Sequence, residues 1–561
     1  MLIYSILWLK NLRIWVSRCN FAPQKHPKKV NSPTRITVFV RKKPNKSGSI
    51  SVVIVEKTPT RKQKIVKTIG CSRDEVQIAK LVKQAEDYII AHTKPELPFI
   101  DPAERHLHDF LHSLTNSQIQ VIGPELIFGA LYDRIGYNAI QSEMFRHLVI
   151  CRLYNPGSKL KTVDYLARYL HQYYTEDQIY RFLDNLCYRK AGSSSRQKKQ
   201  QQEDVKAEVE RVSFAHTKQV VGGEISICFY DMTTLYFEAA SEDEIRKCGF
   251  SKDGKHSCPQ IYIGLLVASG GNPIGYDIFE GNMSESKTFI PMVKKLAAKF
   301  GFDKPIVVAD AGLLTKANIA ALEEQGYEYI LGARVKSESA AIKQQIQSIE
   351  WENGKAVAIR KDENTRLIVS YSEGRRKHDE ENRKKGLARL EKRLGSGSLT
   401  KEHINNRGYN KYLQMEGDVK ISIDYDKFKE DARWDGLKGY VTDTKLSNGE
   451  VIDNYGYLWY IERAFRMNKY DLAVRPIYHR LINRIEGHIC ICFTAYTVML
   501  ELERLLRAAQ SKMTVYRAQE LTKNMYAITY ELPKSNLRER VMLGLDDEQR
   551  ELYDIIYPSN P

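Results

Sequence analysis

The chain has 561 residues, 42% hydrophobic and 28% charged, a composition that suits a globular protein with room for two or more cores. A net charge of +17 predicts a polyanionic partner, nucleic acid before any other. Nine cysteines stand singly, without CxxC pairs, which argues against a disulfide framework or zinc ribbon and fits a reducing cytoplasm; no run of about 18 apolar residues predicts a membrane span.

Residues 1–36 read as an extension ahead of the folded chain, either disordered or a mis-assigned start. Its opening apolar stretch is too short to span a bilayer and lacks the residue order of a signal peptide. From Thr37 to Gly70, apolar and polar residues alternate around turn signals and predict a small basic β-meander. Residues 74–187 carry helical periodicity, and SKLKTVDYLARYLHQYY and TEDQIYRFLDNL begin at caps on Ser158 and Thr175. Residues 37–190 are therefore expected to form an N-terminal region of a β-meander and helices, followed over 191–220 by a linker, where AGSSSRQKKQQQEDVKAEVE reads as a linker or an exposed helix.

From 221 to 336 the pattern is mixed. EISICFYD predicts a buried strand ending at Asp231, and YIGLLVASGGNPIGYDIFEGN a hairpin. A helix with a cap at Ser284 or Ser286 follows, then the apolar strand KPIVVAD ending at Asp310, a helix stopped by Gly326 and the strand YEYILGAR. That order suits a central sheet flanked by helices. Within it, GFSKDGKH (249–256) has the glycine spacing and lysine of a phosphate-binding loop. His256 stands where a Mg²⁺-binding hydroxyl belongs, however, and a strand-like run follows instead of a helix. The stretch is read as a polar connection, and no ATP is expected.

Asp231 and Asp310 end two buried strands, where α/β sheets build sites, and could share hard cations with a third carboxylate. The candidate is Glu462 in DNYGYLWYIERAFRMNKYDL (453–472). Read as one helix capped by Asp453, this segment places Tyr455, Glu462, Arg466 and Lys469 within about 40° of one line. Ile461, Phe465 and Leu472 form an adjacent apolar stripe. A surface Glu462–Arg466 ion pair is the ordinary alternative.

YDMTTLYFE at Asp231, the following PQIYIGLLV and NPIGYDIFEGN, VVADAGL at Asp310 and YIERAFRMNK at Glu462 together resemble DDE-type insertion-sequence transposases. The group they look most like is the "insertion sequence four" superfamily, with its Y-x2-R-x3-E-x6-K signature. Tyr455, Glu462 and Lys469 fall in register, whereas Leu458 holds the Arg place, a charge that Arg463 or Arg466 could supply. The resemblance covers roughly residues 37–510.

It implies an α/β fold with a ribonuclease-H-like core, residues 221–336 and 453–510, interrupted by a largely β insertion at 337–452. RLIVSYSEG and DVKISIDYD would supply strands of the insertion, and the basic run GRRKHDEENRKKGLARLEKRL a helix suited to phosphates. Residues 511–561 are expected to be a helical tail. The resemblance also implies that Asp231, Asp310 and Glu462 are catalytic and hold two Mg²⁺ (or Mn²⁺) ions, roughly 3.5–4 Å apart, for in-line phosphodiester displacement. Tyr455, Arg466 and Lys469 would grip phosphates, and residues 37–190 would be the N-terminal DNA-binding region that reads the transposon ends. The partners implied are double-stranded DNA, as transposon ends and target, and a second copy of the chain on DNA. Trp434, among charged residues of the insertion, is expected either to pack beneath it or to bind DNA as a platform for an unstacked base. Two other readings stay open. One is a non-catalytic DNA-binding derivative of such an enzyme. The other is a different phosphoryl-transfer enzyme, because DMTT at Asp231 carries part of a D-x-D-x-T motif with Thr233 in the second Asp place.

Overall fold

A computed structural model of the protein describes residues 37–57, 63–92, 102–187, 205–238, 241–250, 254, 257–301, 304–313, 315–405, 408–416, 420–472, 474, 477–532 and 537–558. The expected extension at 1–36 and most of GFSKDGKH lie outside these residues. The chain divides into two compact units, Met1–Ser113 and Leu114–Pro561.

In the first unit, β1 (Thr37–Pro44), β2 (Ile50–Lys57) and β3 (Gln63–Ser72) form the antiparallel meander the alternation predicts. The β-branched run of β2 buries Val52 to Val55, and α1 (Glu75–His92) closes over it with Ile78 and Ala85. A further helix, α2, spans Pro102–Ser113.

The second unit opens with β4 (Ile119–Val121), followed by α3 (Ala130–Ile135), α4 (Glu143–Tyr154), α5 (Lys159–Tyr169) and α6 (Glu176–Leu186). The caps read from the sequence are in place: the Ser158 hydroxyl accepts from the Lys161 amide at 3.3 Å, and Thr175 forms a capping box with Gln178. Residues 191–204 of the expected linker lie outside the described residues; over the rest the helical alternative holds as α7 (Val205–Val220), which is partly buried where an exposed helix was expected. It buries Val209, Val212 and Ser213, an apolar face that the polar residues around it masked in the sequence.

The central sheet takes β5 (Ile227–Tyr236), β6 (Gln260–Ala268), β7 (Pro273–Glu280), β8 (Ile306–Ala309), β9 (Tyr329–Ala333), β10 (Ala356–Arg360), β11 (Arg366–Tyr371) and β14 (Leu437–Thr442). Their order is β10-β11-β14-β9-β8-β5-β6-β7. β5, β8 and β9 are parallel, and the helices α8 (Glu285–Phe300) and α9 (Lys316–Glu324) make the crossovers that parallel pairing demands. β6 is buried along its whole length, as a strand covered on both faces must be.

The insertion differs from expectation. Its strands β10, β11 and β14 extend the central sheet through β14–β9 pairing and do not form a separate β domain. α10 (Ala340–Ser348) precedes them. The remainder, α11 (Glu373–Gly395), β12 (Leu413–Glu416), β13 (Lys420–Ile423) and α12 (Tyr425–Ala432), gathers around Leu390, Tyr412, Leu413 and Ile423. Its longest element is the 23-residue basic helix α11, so the insertion is mixed, not largely β.

α13 (Asn448–Gly456), α14 (Trp459–Arg466) and the 27-residue α15 (Ile482–Ala508) complete the unit with α16 (Val515–Thr522), β15 (Tyr526–Glu531), β16 (Arg538–Met542) and α17 (Asp547–Ile556). β15 and β16 join β4 in a three-stranded sheet, so the expected helical tail is partly β; the alternating YAITYE carried that signal. α15 is buried nearly all round and takes Cys490 and Cys492 into the core. Among the described residues, no helix is long and apolar enough to cross a membrane.

Candidate active site

Strand alternation decides where the two aspartates point. Cys228 and Tyr230 of β5, with Val307 and Ala309 of β8, belong to the core cluster on one face of the sheet; Phe229, Leu235 and Val308 belong to the cluster on the other. Asp231 and Asp310 follow the parity of Phe229 and Val308, so both face the side covered by α13, α14 and α15. The parallel register Tyr230↔Ala309 makes them the next pair on neighbouring strands. β5 continues past Asp231 to Tyr236, so Asp231 sits within its strand, not at its end, while Asp310 leaves β8 directly. An oxygen of each accepts a nearby backbone amide: Asp231 from Met232 at 2.7 Å and Asp310 from Gly312 at 2.8 Å.

The segment 453–472 is not one helix. Its first part is α13, capped by Ser447 in a capping box with Glu450 and not by Asp453; a break at Tyr457 and Leu458 separates it from α14, and Met467–Asp471 forms a π turn. Leu458, in the Arg place of the signature, is buried at 9% exposure, an apolar anchor at the break. The single-line placement of Tyr455, Glu462, Arg466 and Lys469 therefore gives way to a tertiary one.

Tyr455 comes from α13. A Cβ on Gly332 of β9 would collide with its hydroxyl and lie 2.9 Å from the Ala311 amide, so glycine there lets the phenol reach the Asp310 turn. Its ring meets Tyr440 edge-on at 4.9 Å and carries the Lys438 ammonium at 4.3 Å. Burial, then Asp310, Tyr440 and Asp231, push the Tyr455 phenol well above its ordinary range against Arg375, so it stays a neutral donor. Burial and the Arg375 guanidinium lower Lys438 to about 8, with Glu462 opposing. Glu462 is exposed on α14, and its charge is felt at Lys438, whose ammonium lies over the Tyr455 ring. Among the described residues, no three His, Cys, Asp or Glu side chains already stand as a metal cage.

Other expected residues are distributed more widely. Lys469 lines a small cavity with Thr233, Leu235 and Phe465, on the Asp231 face of β5. Arg466 is exposed and lines a separate cavity with Asp471 and Glu503. Arg463 is already ion-paired to Glu503, which leaves it poorly placed to replace the missing signature charge. Trp434 is corrected. At 9% exposure it lies in the cluster that holds Tyr230 and Ala309, across the sheet from the carboxylates, so its packing reading holds and its ring offers no base platform. Arg375, Lys438, Tyr440 and Gly332 were not singled out in the sequence. The signal for two of them was present in LKGYVT, where Lys438 and Tyr440 share one face of an otherwise apolar strand.

Residues 222–498, just under half of the chain, match the family model described as "Transposase DDE domain". The comparison with curated proteins gave no match. Among solved structures, a piggyBac transposase synaptic complex with hairpin DNA is similar at 10% identity and a TM-score of 0.36, covering 72% of this chain and 79% of that one. A Mos1 transposase paired-end complex with the left transposon end is similar at 11% identity and a TM-score of 0.15, covering 47% and 74%. TM-scores this low do not establish a common fold. The matched segment contains Asp231, Asp310 and Glu462; over it the chain is similar to the DDE domain of transposases, which supports a DNA-cleaving transposase enzyme.

Proposed function

We propose that the protein binds the ends of its own insertion sequence and cleaves and joins DNA there, with Asp231, Asp310 and Glu462 as the catalytic carboxylates. The observation that carries this reading is the aspartate pair in parallel register on the sheet face covered by the helices of Tyr455 and Glu462. Their oxygen donors fit a hard divalent cation, which keeps waters beside one or two carboxylates. Glu462 would complete the set for two ions. Bound Mg²⁺ or Mn²⁺ would supply Lewis-acid polarisation of the phosphodiester and a more acidic water or 3′-hydroxyl.

The chain's own residues do the rest. Backbone amides of Met232 and Gly312 hold the two carboxylates in orientation. Lys438 and Arg375 place positive charge where a scissile phosphate would bring negative charge, and the neutral Tyr455 hydroxyl can donate to a phosphate oxygen. Lys469 would position DNA from the Thr233 side of β5 and Arg466 from the separate cavity at the last turn of α14, with α11 as a basic arm for backbone phosphates. The finer assignment, to the "insertion sequence four" superfamily, rests on Tyr455, Glu462 and Lys469, with Leu458 as its departure. A homodimer acting on double-stranded DNA in the cytoplasm, without ATP, belongs to the same proposal.

The test is cleavage and joining of the element's terminal repeats by Asp231→Asn, Asp310→Asn and Glu462→Gln. Each variant should keep its fold and DNA affinity and lose both reactions with Mg²⁺ or Mn²⁺. Near-normal cleavage by Glu462→Gln would return that residue to a surface role and refute the three-carboxylate site.

A further inference from the structure

The meander of the first unit has two faces, and strand alternation sorts its residues between them. Val38 and Val40 of β1, with Ile50, Val52 and Ile54 of β2, pack with α1. Gly70 of β3 lies on that side, where a Cβ would meet the Leu81 side chain of α1 at 2.7 Å. By the same alternation the other face carries Arg41 and Lys43 of β1 and Lys57 of β2. The register Lys57↔Gln63, Val55↔Ile65 and Val53↔Thr68 adds Gln63, Ile65 and Thr68 from β3. These side chains are exposed, Ile65 at 48%, while Val53 and Val55 between them are buried.

The charge on this open face has one sign. Among the described residues of the three strands, Glu56 is the one carboxylate, and it has the parity of Ile54, on the α1 side. Arg41 donates from Nη1 to Gln63 Oε1 at 2.5 Å, from one edge strand of the meander to the other. That bond sets a guanidinium fork and an amide side by side in a fixed orientation. A guanidinium fork matches the acceptors of a guanine edge, an amide matches the adenine edge, and an exposed apolar side chain such as Ile65 matches a thymine methyl. Strands about 4.8 Å apart make a face about 10 Å across its backbones, which fits a major groove about 12 Å wide. Two register shifts interrupt the β2–β3 ladder, between Val52 and Val53 and between Ile54 and Val55. Irregularities of this kind increase right-handed twist, which lets a sheet follow a groove.

We infer that the open face of the meander docks in the major groove of duplex DNA, with Arg41 and Gln63 on base edges, Ile65 beside a thymine methyl and Lys43 and Lys57 on flanking phosphates. The occupant follows from the charge, because a polyanion complements a face that carries cations alone. Phosphate contact by itself has no use for a fixed amide or an exposed isoleucine, whereas base edges do. The inference rests on the proposed end binding and not on the catalytic carboxylates, so it is tested by binding in EDTA, without cleavage.

The full chain is titrated with a terminal-repeat duplex and with a scrambled duplex of equal length, across a salt series. The wild type should prefer the repeat. Arg41→Ala and Gln63→Ala should each weaken repeat binding about tenfold and scrambled binding far less. Arg41→Lys, which keeps the charge and loses the fork, should lose the same preference. A guanine analogue lacking the ring-nitrogen acceptor of the major-groove edge should cost the repeat a similar factor, and that loss should not add to the loss in Arg41→Ala. Lys43→Gln and Lys57→Gln should weaken both duplexes alike and reduce the log–log salt slope by about one each. Lys80→Gln and Lys83→Gln, exposed on α1, should bind both duplexes as the wild type does. A wild type without preference for the repeat would refute end binding, and this inference with it. A preference kept by Arg41→Ala and Gln63→Ala, whatever their melting temperatures, would make the pair a structural clamp and overturn the groove face while end binding stands. Equal losses on both duplexes in Arg41→Ala, or losses as large in the α1 variants, would overturn it as well, leaving general attraction between cations and phosphates.

Discussion

Gly332→Ala tests the architecture of the carboxylate site with one methyl group. The added Cβ would lie 2.9 Å from the Ala311 amide and closer still to the Tyr455 hydroxyl, at least half an ångström short of ordinary 3.4 Å contact. Ala311 is backbone of the turn that presents Asp310, and the Tyr455 ring is held by Tyr440 at 4.9 Å and Lys438 at 4.3 Å. Neither side can yield without moving a site residue. Overpacking of this kind costs about 1–3 kcal/mol. Because a displacement of about 1 Å can reduce a rate about a hundredfold, one of half that size should cost on the order of tenfold in cleavage. The assays are thermal melting and single-turnover cleavage of end DNA. Tyr455→Phe removes the colliding oxygen, so the double variant should recover much of the stability lost in Gly332→Ala, a coupling that a double-mutant cycle reads directly. Wild-type melting and cleavage in Gly332→Ala would show that Tyr455 does not occupy this position, and the account of the site would fail.

Lys438 makes the site pH-sensitive. With its folded value lowered to about 8, it loses charge as pH rises through that point, so DNA affinity should fall between about pH 7 and 9; Lys438→Arg should abolish the fall, and an unchanged profile would remove Lys438 from the phosphate site. The linkage sign is fixed too. Between the folded value and the higher unfolded one, the unfolded chain binds the extra proton, so the burial penalty is relieved and this residue's contribution to stability rises with pH in that window. Trp434→Ala should destabilise the fold by about 3–5 kcal/mol, through the cavity it leaves, with DNA affinity of the folded protein unchanged. A normal melt with selectively slowed strand opening would restore Trp434 to a DNA role.

Much of the core was legible because local chemistry and tertiary structure agreed there. Ser158 and Thr175 mark helix starts through their hydroxyls, EISICFYD and KPIVVAD are strands because apolar runs must be covered on both faces, and both aspartates follow at readable positions. The sequence also carried Tyr455, Glu462 and Lys469 as candidates. Periodicity alone then misled. It joined 453–472 into one helix, since residue spacing cannot reveal that Leu458 is anchored in the core at a break. It left the stretch that holds α7 as a linker or an exposed helix, since the buried side of α7 exists only against its neighbours. Which face of the sheet each residue occupies and that β14 docks on β9 were decided by tertiary structure. Pairing partners and buried charge are properties of distant segments brought together, and no local pattern encodes them.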